Sequence, residues 1–414
     1  MENVPGFRTV PRTGVIYVMH EASHFGFTYG HPEWANLGQG SPETGPLPGA
    51  PERVSAFPIN PKTHAYGPVE GELRLRQKVA DFYNHVFRKD QKSQYTYENV
   101  SIAGGGRLAL TRIAAALDNI NMGHFIPDYT AYEELLSGFK TFIPIPILLD
   151  GGSGYKISLS HLKREILGHG FNALLASNPC NPTGQLVEGN QLKAWVRLAR
   201  ELRCTFILDE FYSHYVYTGS PGEAKMISAA AYVEDVDSDP VLIVDGLTKN
   251  WRYPGWRLSW TLGPKSVIEA LASAGSFLDG GANHPFQENA IPLLEPELAI
   301  QETHAIQNCF RAKRDFVLER VQAMGMEVEA DPEGAFYVWA STANLKPPLN
   351  DGLAFFRAAL EEKVITVPGM FFDVNPGRRR PHARYQHHCR ISFGPEMAAL
   401  ERGMDGLERM IQRS

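Results

Sequence analysis

Short apolar runs recur between about residue 100 and residue 246, and each ends in Gly, Pro, Asp or Asn. The runs read VSIAGGG, HFIPD, TFIPIPILLD, ALLASNP, TFILDE and VLIVDG. Between some of them, segments 107–117 and 191–202 place apolar residues at helical spacing. Strands that alternate with helices predict βαβ units and a mainly parallel sheet covered on both faces. In such a sheet, ligands bind at the carboxyl ends of the strands.

The flanks of this region carry different patterns. Residues 25–70 are rich in Gly and Pro, which is typical of an extended arm, and residues 72–87 have the spacing of an amphipathic helix. After residue 300 come a long helix, a strand-like GAFYVWA, a further helix and the short runs KVITVPG and CRISFG. The order predicts three parts: a three-layer αβα large domain over 51–298, a smaller α+β domain over 299–414, and an N-terminal arm over 1–50 that joins the small domain.

Composition narrows the class of protein. With 414 residues, 43% of them hydrophobic and 21% charged, the chain has an ordinary globular composition and is long enough for two domains. A net charge of −6 argues against nucleic-acid binding, which needs a basic surface. The four cysteines lack C-x-x-C spacing and the histidines lack an H-E-x-x-H motif, so we expect neither a disulfide framework nor a zinc site. No apolar segment has secretory or membrane-spanning length, so a cytoplasmic protein with no membrane partner is expected.

The segment DGLTKNWRYPGWR places Lys249 directly after an apolar run and Arg257 eight residues later. A lysine amine is a nucleophile only without its proton, and burial or nearby cations lower its pKa. Trp251 and Trp256 would provide the first condition, and Arg252 and Arg257 the second. The alternative interpretation is an ordinary surface lysine in a loop.

Two other strand ends carry polar side chains. LLASNPCNPTG ends in two Asn-Pro steps, and FILDEFY ends in Asp209, with Tyr212 three residues later. Either alone is compatible with a simple turn or cap. The ordered set is more specific: Asn-Pro-Thr-Gly, then Asp-x-x-Tyr, then a lysine with an arginine eight residues on.

With this ordered set, the chain resembles the class I/II aminotransferases, the aspartate aminotransferase-like members of the fold-type-I pyridoxal-phosphate enzymes. The resemblance runs from about residue 35 to the C-terminus. It implies the cofactor pyridoxal 5′-phosphate and a homodimer with shared active sites. The implied reaction moves an α-amino group between an amino acid and a 2-keto acid through a Schiff base on Lys249.

The resemblance also implies roles for single residues. Lys249 would bind the cofactor aldehyde, Asp209 would pair with the protonated pyridine nitrogen, and Tyr129 would stack on the ring. Tyr212 and Asn181 would contact the phenolic oxygen.

A second group would hold the phosphate and the substrate. SIAGGGRLAL resembles the phosphate loop, and the phosphate ligands would be Gly105, Gly106, Arg107, Thr248, Arg257 and, from the neighbouring subunit, Tyr66. Arg390 would bind the substrate α-carboxylate, with Gly38 and Asn181 beside it.

Several positions depart from the family pattern. Gly246 stands where a second hydroxyl is common, and Ala103 and Arg107 stand where hydroxyl or amide residues are usual. Arg107 is therefore a candidate for binding the substrate or the phosphate. The segment 375–389 is unusually basic, and it is interpreted as a solvated loop or a dimer contact. The sharper hypothesis is that an anionic side chain or a large substrate is bound by Arg378, Arg379, His387 or His388. His284 is a candidate for contacting phosphate, substrate or the subunit interface.

Other reactions stay open at this point. The same cofactor chemistry serves lyases and cyclases, so elimination or ring closure on an amino acid such as S-adenosylmethionine or an arginine derivative is the main alternative. A catalytically inactive cofactor-binding regulator is a further alternative. The presence of Lys249, Asp209 and Arg390 argues against it.

Overall fold

A seven-stranded sheet forms the centre of the computed structural model, which describes residues 5–7, 10, 12–220 and 222–413. Its strands are β2 (Val100–Ala103), β3 (Asn121–Ile126), β4 (Ile143–Leu148), β5 (Phe171–Ser177), β6 (Thr205–Asp209), β7 (Val241–Gly246) and β8 (Ser259–Leu262). The order across the sheet is β2-β8-β7-β6-β5-β3-β4. Only β8 runs in the opposite direction to the other six strands, so the sheet is mainly parallel, as the alternating pattern predicts.

Both faces of this sheet are buried. Along β5, Leu174 and Ala176 pack on one side with Trp195, while Ala173 and Leu175 pack on the other side with Ile207. Successive side chains of a strand point to opposite faces, so a continuous apolar run gives two buried faces. Helices supply the outer layers: α2 (Leu73–Phe87), α3 (Gly106–Ala116), α4 (Ala131–Gly138), α5 (Leu159–His169), α6 (Gly189–Leu202), α7 (Lys265–Leu278) and α8 (His284–Ala290).

The C-terminal part is built around a three-stranded antiparallel sheet, in the order β11 (Val367–Pro368), β12 (His388–Ser392) and β9 (Tyr337–Ser341). Its helices are α9 (Pro296–Ala323), α10 (Gly352–Glu361) and α11 (Met397–Arg413). The long α9 begins before residue 298 and continues past it, so one helix crosses the predicted domain boundary.

The N-terminal arm is fixed to this C-terminal part. Its strand β1 (Ala35–Asn36) pairs in parallel with β10 (Val364–Ile365), and the Leu37 carbonyl accepts from the Ser392 N–H at 2.8 Å. The arm also contains helix α1 (Gly14–His24), which the sequence analysis does not predict. In α1, Val18 and Ala22 are buried at i and i+4, so one face packs inward. Within the described residues, no helix is both long and apolar enough to cross a membrane.

Candidate active site

The ends of β5, β6 and β7 meet the start of α3 at one cavity of about 410 Å³. Most of the predicted site residues line it: Gly106, Arg107, Tyr129, Asn181, Asp209, Tyr212, Thr248, Lys249, Arg257 and Arg390. Gly38 and Gly105 do not line the cavity, but Gly38 contacts Arg390 and Gly105 lies against Arg257. Tyr66 lies outside the cavity and is 99% exposed.

Lys249 follows β7 in a short turn and donates from Nζ to the Gly40 carbonyl. Burial, and after it the charges of Arg390, Arg257 and Arg107, lowers the pKa of Lys249 to about 7. At physiological pH, Lys249 is therefore a neutral amine in a large fraction of the protein molecules, and this is the form that acts as a nucleophile or a base.

Asp209 is the last residue of β6, and its carboxylate is buried. Its Oδ2 accepts from the Tyr132 hydroxyl at 2.8 Å. Burial raises the pKa of Asp209 to about 6, while the Tyr132 hydroxyl and the Phe211 N–H act in the opposite direction. The carboxylate can therefore be ionised at neutral pH and pair with a cationic group placed in the cavity.

Arg390 projects from β12 and is 1% exposed. Its Nη1 donates to Oδ1 of Asn181 at 2.8 Å, and its Nη2 donates to the Gly38 carbonyl. The ring of Tyr337 lies 4.2 Å from the guanidinium carbon. Among the described residues, no carboxylate pairs with Arg390, and its buried Nε has no partner. A buried guanidinium with a free donor is costly unless an anion completes the site, so the residue fits a carboxylate ligand.

The phosphate loop lies between β2 and α3. Gly105 has φ +103°, and a Cβ there would lie 2.2 Å from Nη2 of Arg257, so only glycine allows this approach of the arginine to the loop. The N-terminus of α3 has no side-chain cap; the Leu108 and Ala109 N–H groups donate to the Gly105 carbonyl, and those of Gly106 and Arg107 are left for an anion. In the described part of the chain, the buried Thr248 hydroxyl also lacks a hydrogen-bond partner. These groups fit a phosphate.

The departure at Gly246 has a steric reason. A Cβ at this position would lie 2.5 Å from the Leu258 carbonyl oxygen and 2.6 Å from the Ser259 Cα. No side chain fits there, so the position cannot supply the second hydroxyl.

Comparison with known proteins agrees with this geometry. The profile of the family "Aminotransferase class I and II" matches residues 32–407. The chain belongs to this family. Aspartate aminotransferase of Streptomyces avermitilis is 28% identical over 368 residues, which cover 86% of this chain and 83% of that protein. Aspartate/prephenate aminotransferase of Thermus thermophilus is 27% identical, with 84% of each chain covered.

Solved structures show the same fold. An aminotransferase from Mycobacterium tuberculosis superimposes with a TM-score of 0.80 at 21% identity, and the match covers 100% of both chains. Aspartate aminotransferase from Thermus thermophilus with maleate gives a TM-score of 0.77 at 23% identity, over 98% of this chain and 100% of that chain. The family uses pyridoxal phosphate, and the chain is an aminotransferase. The lyase or cyclase alternative is not favoured.

The basic segment does not reach the aminotransferase cavity. Arg380 pairs with Asp373 at 2.8 Å, and His387 Nδ1 lies 2.6 Å from the Asn350 carbonyl oxygen. His388 stacks on Trp339 with ring centroids 5.1 Å apart. None of the four residues named in the sharper hypothesis lines the cavity, and their role in binding a substrate stays a prediction: Arg378, Arg379, His387 and His388.

His284 does not line the cavity. Its Nδ1 lies 2.9 Å from the Ala65 carbonyl oxygen, and its Nε2 lies 2.7 Å from a Glu72 carboxylate oxygen. His284 therefore anchors the loop that carries the exposed Tyr66.

Tyr337 and Tyr132 are among the residues of the cavity region that the sequence patterns do not predict. Tyr337 lines the cavity, and its hydroxyl lies 2.6 Å from the hydroxyl of Tyr212. Tyr132 lies directly behind Asp209. Tyr132 is three residues after Tyr129 on the same turn, which was a usable signal. Tyr337 had no comparable signal, because its position depends on how β9 is placed next to β12.

Proposed function

We propose that the enzyme transfers the α-amino group of a dicarboxylic amino acid, such as aspartate, to a 2-keto acid. One observation carries the choice of a dicarboxylic substrate: a second arginine, Arg107, lies in the cavity with Arg390 and has no carboxylate partner among the described residues. Its Nη2 donates only to the Tyr129 hydroxyl, at 3.2 Å. Arg390 would bind the α-carboxylate and Arg107 the distal one. Relatives named aspartate aminotransferase support this assignment.

The same cavity would hold pyridoxal phosphate. Lys249 would bind its aldehyde, Asp209 its ring nitrogen, and Tyr212 and Asn181 its phenolic oxygen, with Tyr129 against the ring. The phosphate would contact Gly105, Gly106, Thr248 and Arg257. When bound, this cofactor supplies an electron sink for the carbon that loses a proton.

The protein itself contributes binding and proton transfer. A carboxylate held by Arg390 keeps the substrate Cα in the cavity that Lys249 lines. The Nζ amine of Lys249 can then remove the Cα proton, hold it and later donate it. The lowered pKa suits this task, because a base works best when its pKa is near the ambient pH. Burial of the cavity walls limits water and strengthens the electrostatic contacts.

We also propose a homodimer with shared active sites. Tyr66 is almost fully exposed in one chain, yet His284 and Glu72 hold its loop in place. An ordered loop that presents a free tyrosine fits a contact with a second copy. The partner's Tyr66 would then reach the cofactor phosphate.

The test compares aspartate with 2-aminobutyrate, which lacks the distal carboxylate. We expect kcat/KM to be at least about 100-fold higher for aspartate, because a site built for a charged group rejects the analogue without it. Arg107→Gln should remove most of that preference, whereas the exposed Arg74→Gln should not. Equal kcat/KM for the two amino acids in the unaltered enzyme would refute the dicarboxylic assignment.

A further inference from the structure

Asp128 is a buried acid that the proposed mechanism does not use. It directly precedes Tyr129 and is 1% exposed. Its Oδ1 accepts from the Ser177 hydroxyl, and from the Tyr129 N–H at 2.7 Å, and its Oδ2 accepts from the Ser177 N–H at 3.5 Å. No cation pairs with it among the described residues. Burial raises the pKa of Asp128 to about 8, so the carboxyl is mostly neutral at pH 7.

The hydrogen bonds continue from Ser177 toward the substrate site. Ser177 is the last residue of β5, and its Oγ accepts from the Asn181 N–H at 3.3 Å. Oδ1 of Asn181 in turn accepts from Nη1 of Arg390 at 2.8 Å. An unbroken series of contacts therefore joins Asp128 to Arg390 through Ser177 and Asn181.

The same carboxyl also fixes the peptide of Tyr129, the aromatic residue of the cavity. Asp128 thus ties the end of β3 to the end of β5. Those two segments carry the groups on two sides of the ligand cavity. A side chain with this many buried partners has little freedom to move, and a fixed Asn181 in turn fixes the guanidinium of Arg390.

We propose that Asp128 is a positioning residue, which orients Asn181 and Tyr129 and, through Asn181, the carboxylate-binding Arg390. This inference rests on the proposed role of Arg390 in binding the α-carboxylate. Asp128 does not line the cavity and acts through Ser177 and the Tyr129 peptide.

The neutral state of the carboxyl makes the proposal specific. An asparagine has the same shape, no charge and the same Oδ1 acceptor, so Asp128→Asn keeps both Oδ1 contacts and loses only the long Oδ2 contact with the Ser177 N–H. Asp128→Ala removes them and leaves the Ser177 hydroxyl and the Tyr129 N–H without their acceptor. A charged role would be lost in both variants, whereas a positioning role is lost only in the second.

The experiment measures the dissociation constant of succinate, a non-reacting dicarboxylate, by calorimetry on the cofactor-loaded enzyme at pH 7. Asp128→Ala should raise it about tenfold, the equivalent of one lost hydrogen bond to a charged group. Asp128→Asn should stay within about threefold of the unaltered enzyme. Ser177→Ala should reproduce the alanine effect, and the double variant should add little to it. Thermal unfolding checks that each variant is folded, and Ser177→Ala serves alone if Asp128→Ala does not fold.

Two results separate the possible failures. If Arg390→Ala leaves the succinate dissociation constant unchanged, the proposed carboxylate site itself is wrong. If Arg390→Ala raises it while Asp128→Ala and Ser177→Ala do not, the carboxylate site stands and the positioning role is refuted. A loss in Asp128→Asn equal to that in Asp128→Ala also overturns the positioning role, because the asparagine retains the acceptor.

Discussion

The Tyr132 hydroxyl donates to Oδ2 of Asp209 over 2.8 Å, and both side chains are buried. The bond stabilises the ionised carboxylate, while burial raises the pKa of Asp209 to about 6. Asp209 would pair with the ring nitrogen of the cofactor, so this hydroxyl helps to keep Asp209 charged near neutral pH.

Tyr132→Phe should therefore raise the pKa of Asp209 further, because the donor that favours the charged form is lost. Binding of pyridoxal phosphate to the apoenzyme weakens when Asp209 is protonated. The acid midpoint of binding should therefore lie at a higher pH in Tyr132→Phe than in the unaltered enzyme. Fluorescence titrations from pH 5 to 9 would locate the midpoint, with the exposed Tyr97→Phe as control. An acid midpoint that stays the same in Tyr132→Phe would contradict this assignment.

Lys249 should be reactive at unusually low pH. Burial and three nearby arginines lower the pKa of its amine to about 7, so the labelling rate of the apoenzyme at this residue should rise with a midpoint near pH 7. The folded-state pKa of Lys249 is below its unfolded value, so the unfolded chain binds more protons between these two values. The free energy of unfolding of the apoenzyme should therefore increase as the pH rises from about 7 toward 10.5. Mass spectrometry of a trapped lysine adduct measures the midpoint. A midpoint near that of surface lysines would disprove the prediction.

Removing the amine should stop catalysis. Lys249→Ala should lower kcat by at least about 10²–10⁴-fold, the usual contribution of a positioned base. The control is Lys62→Ala, at an exposed residue of the short 3₁₀ helix Pro61–His64. Amino transfer at an undiminished rate in Lys249→Ala would exclude the residue from the reaction.

Arg390→Met should separate function from stability. The buried guanidinium lacks an anionic partner in the ligand-free protein, so replacing it with an apolar side chain of similar length should leave the unfolding temperature unchanged or raise it. The same change should raise KM for α-carboxylate substrates about 100-fold or more, since a charge-assisted pair is lost. Calorimetric scans and steady-state kinetics test the two halves. A large fall in unfolding temperature would mean that the arginine stabilises the fold.

Gly246→Ser should be destabilising even though a hydroxyl is common there in the family. The Cβ would lie 2.5 Å from the Leu258 carbonyl oxygen, and relieving such a clash costs roughly 1–3 kcal/mol of unfolding free energy. The matched control is Gly168→Ser, where a Cβ meets nothing within 4 Å. Equal urea midpoints for the two variants would show that β7 and β8 separate easily.

The sequence was most informative at the ends of strands. Lys249, Asp209 and Asn181 each follow an apolar run, and parallel strands bring such ends together, so their convergence was predictable. Tyr337 and Ser177 were not predicted, since their contacts join residues far apart in the chain. Tyr212 and Tyr337, for example, are 125 residues apart. The alternation of side chains along one strand does not specify which other strand pairs with it. The basic segment was recognised as a loop, and two of its arginines, Arg380 and Arg384, pair with Asp373.

The short strand Ala35–Asn36 has a mechanical consequence for the cavity. Just beyond it, the backbone carbonyls of Gly38 and Gly40 touch Arg390 and Lys249. The two-residue pairing of β1 with β10 thus attaches both carbonyls to the C-terminal part, while Lys249 follows a strand of the central sheet. A shift of the arm and the C-terminal part relative to the central sheet would draw the Gly40 carbonyl away from Lys249, while the Gly38 carbonyl would stay beside Arg390.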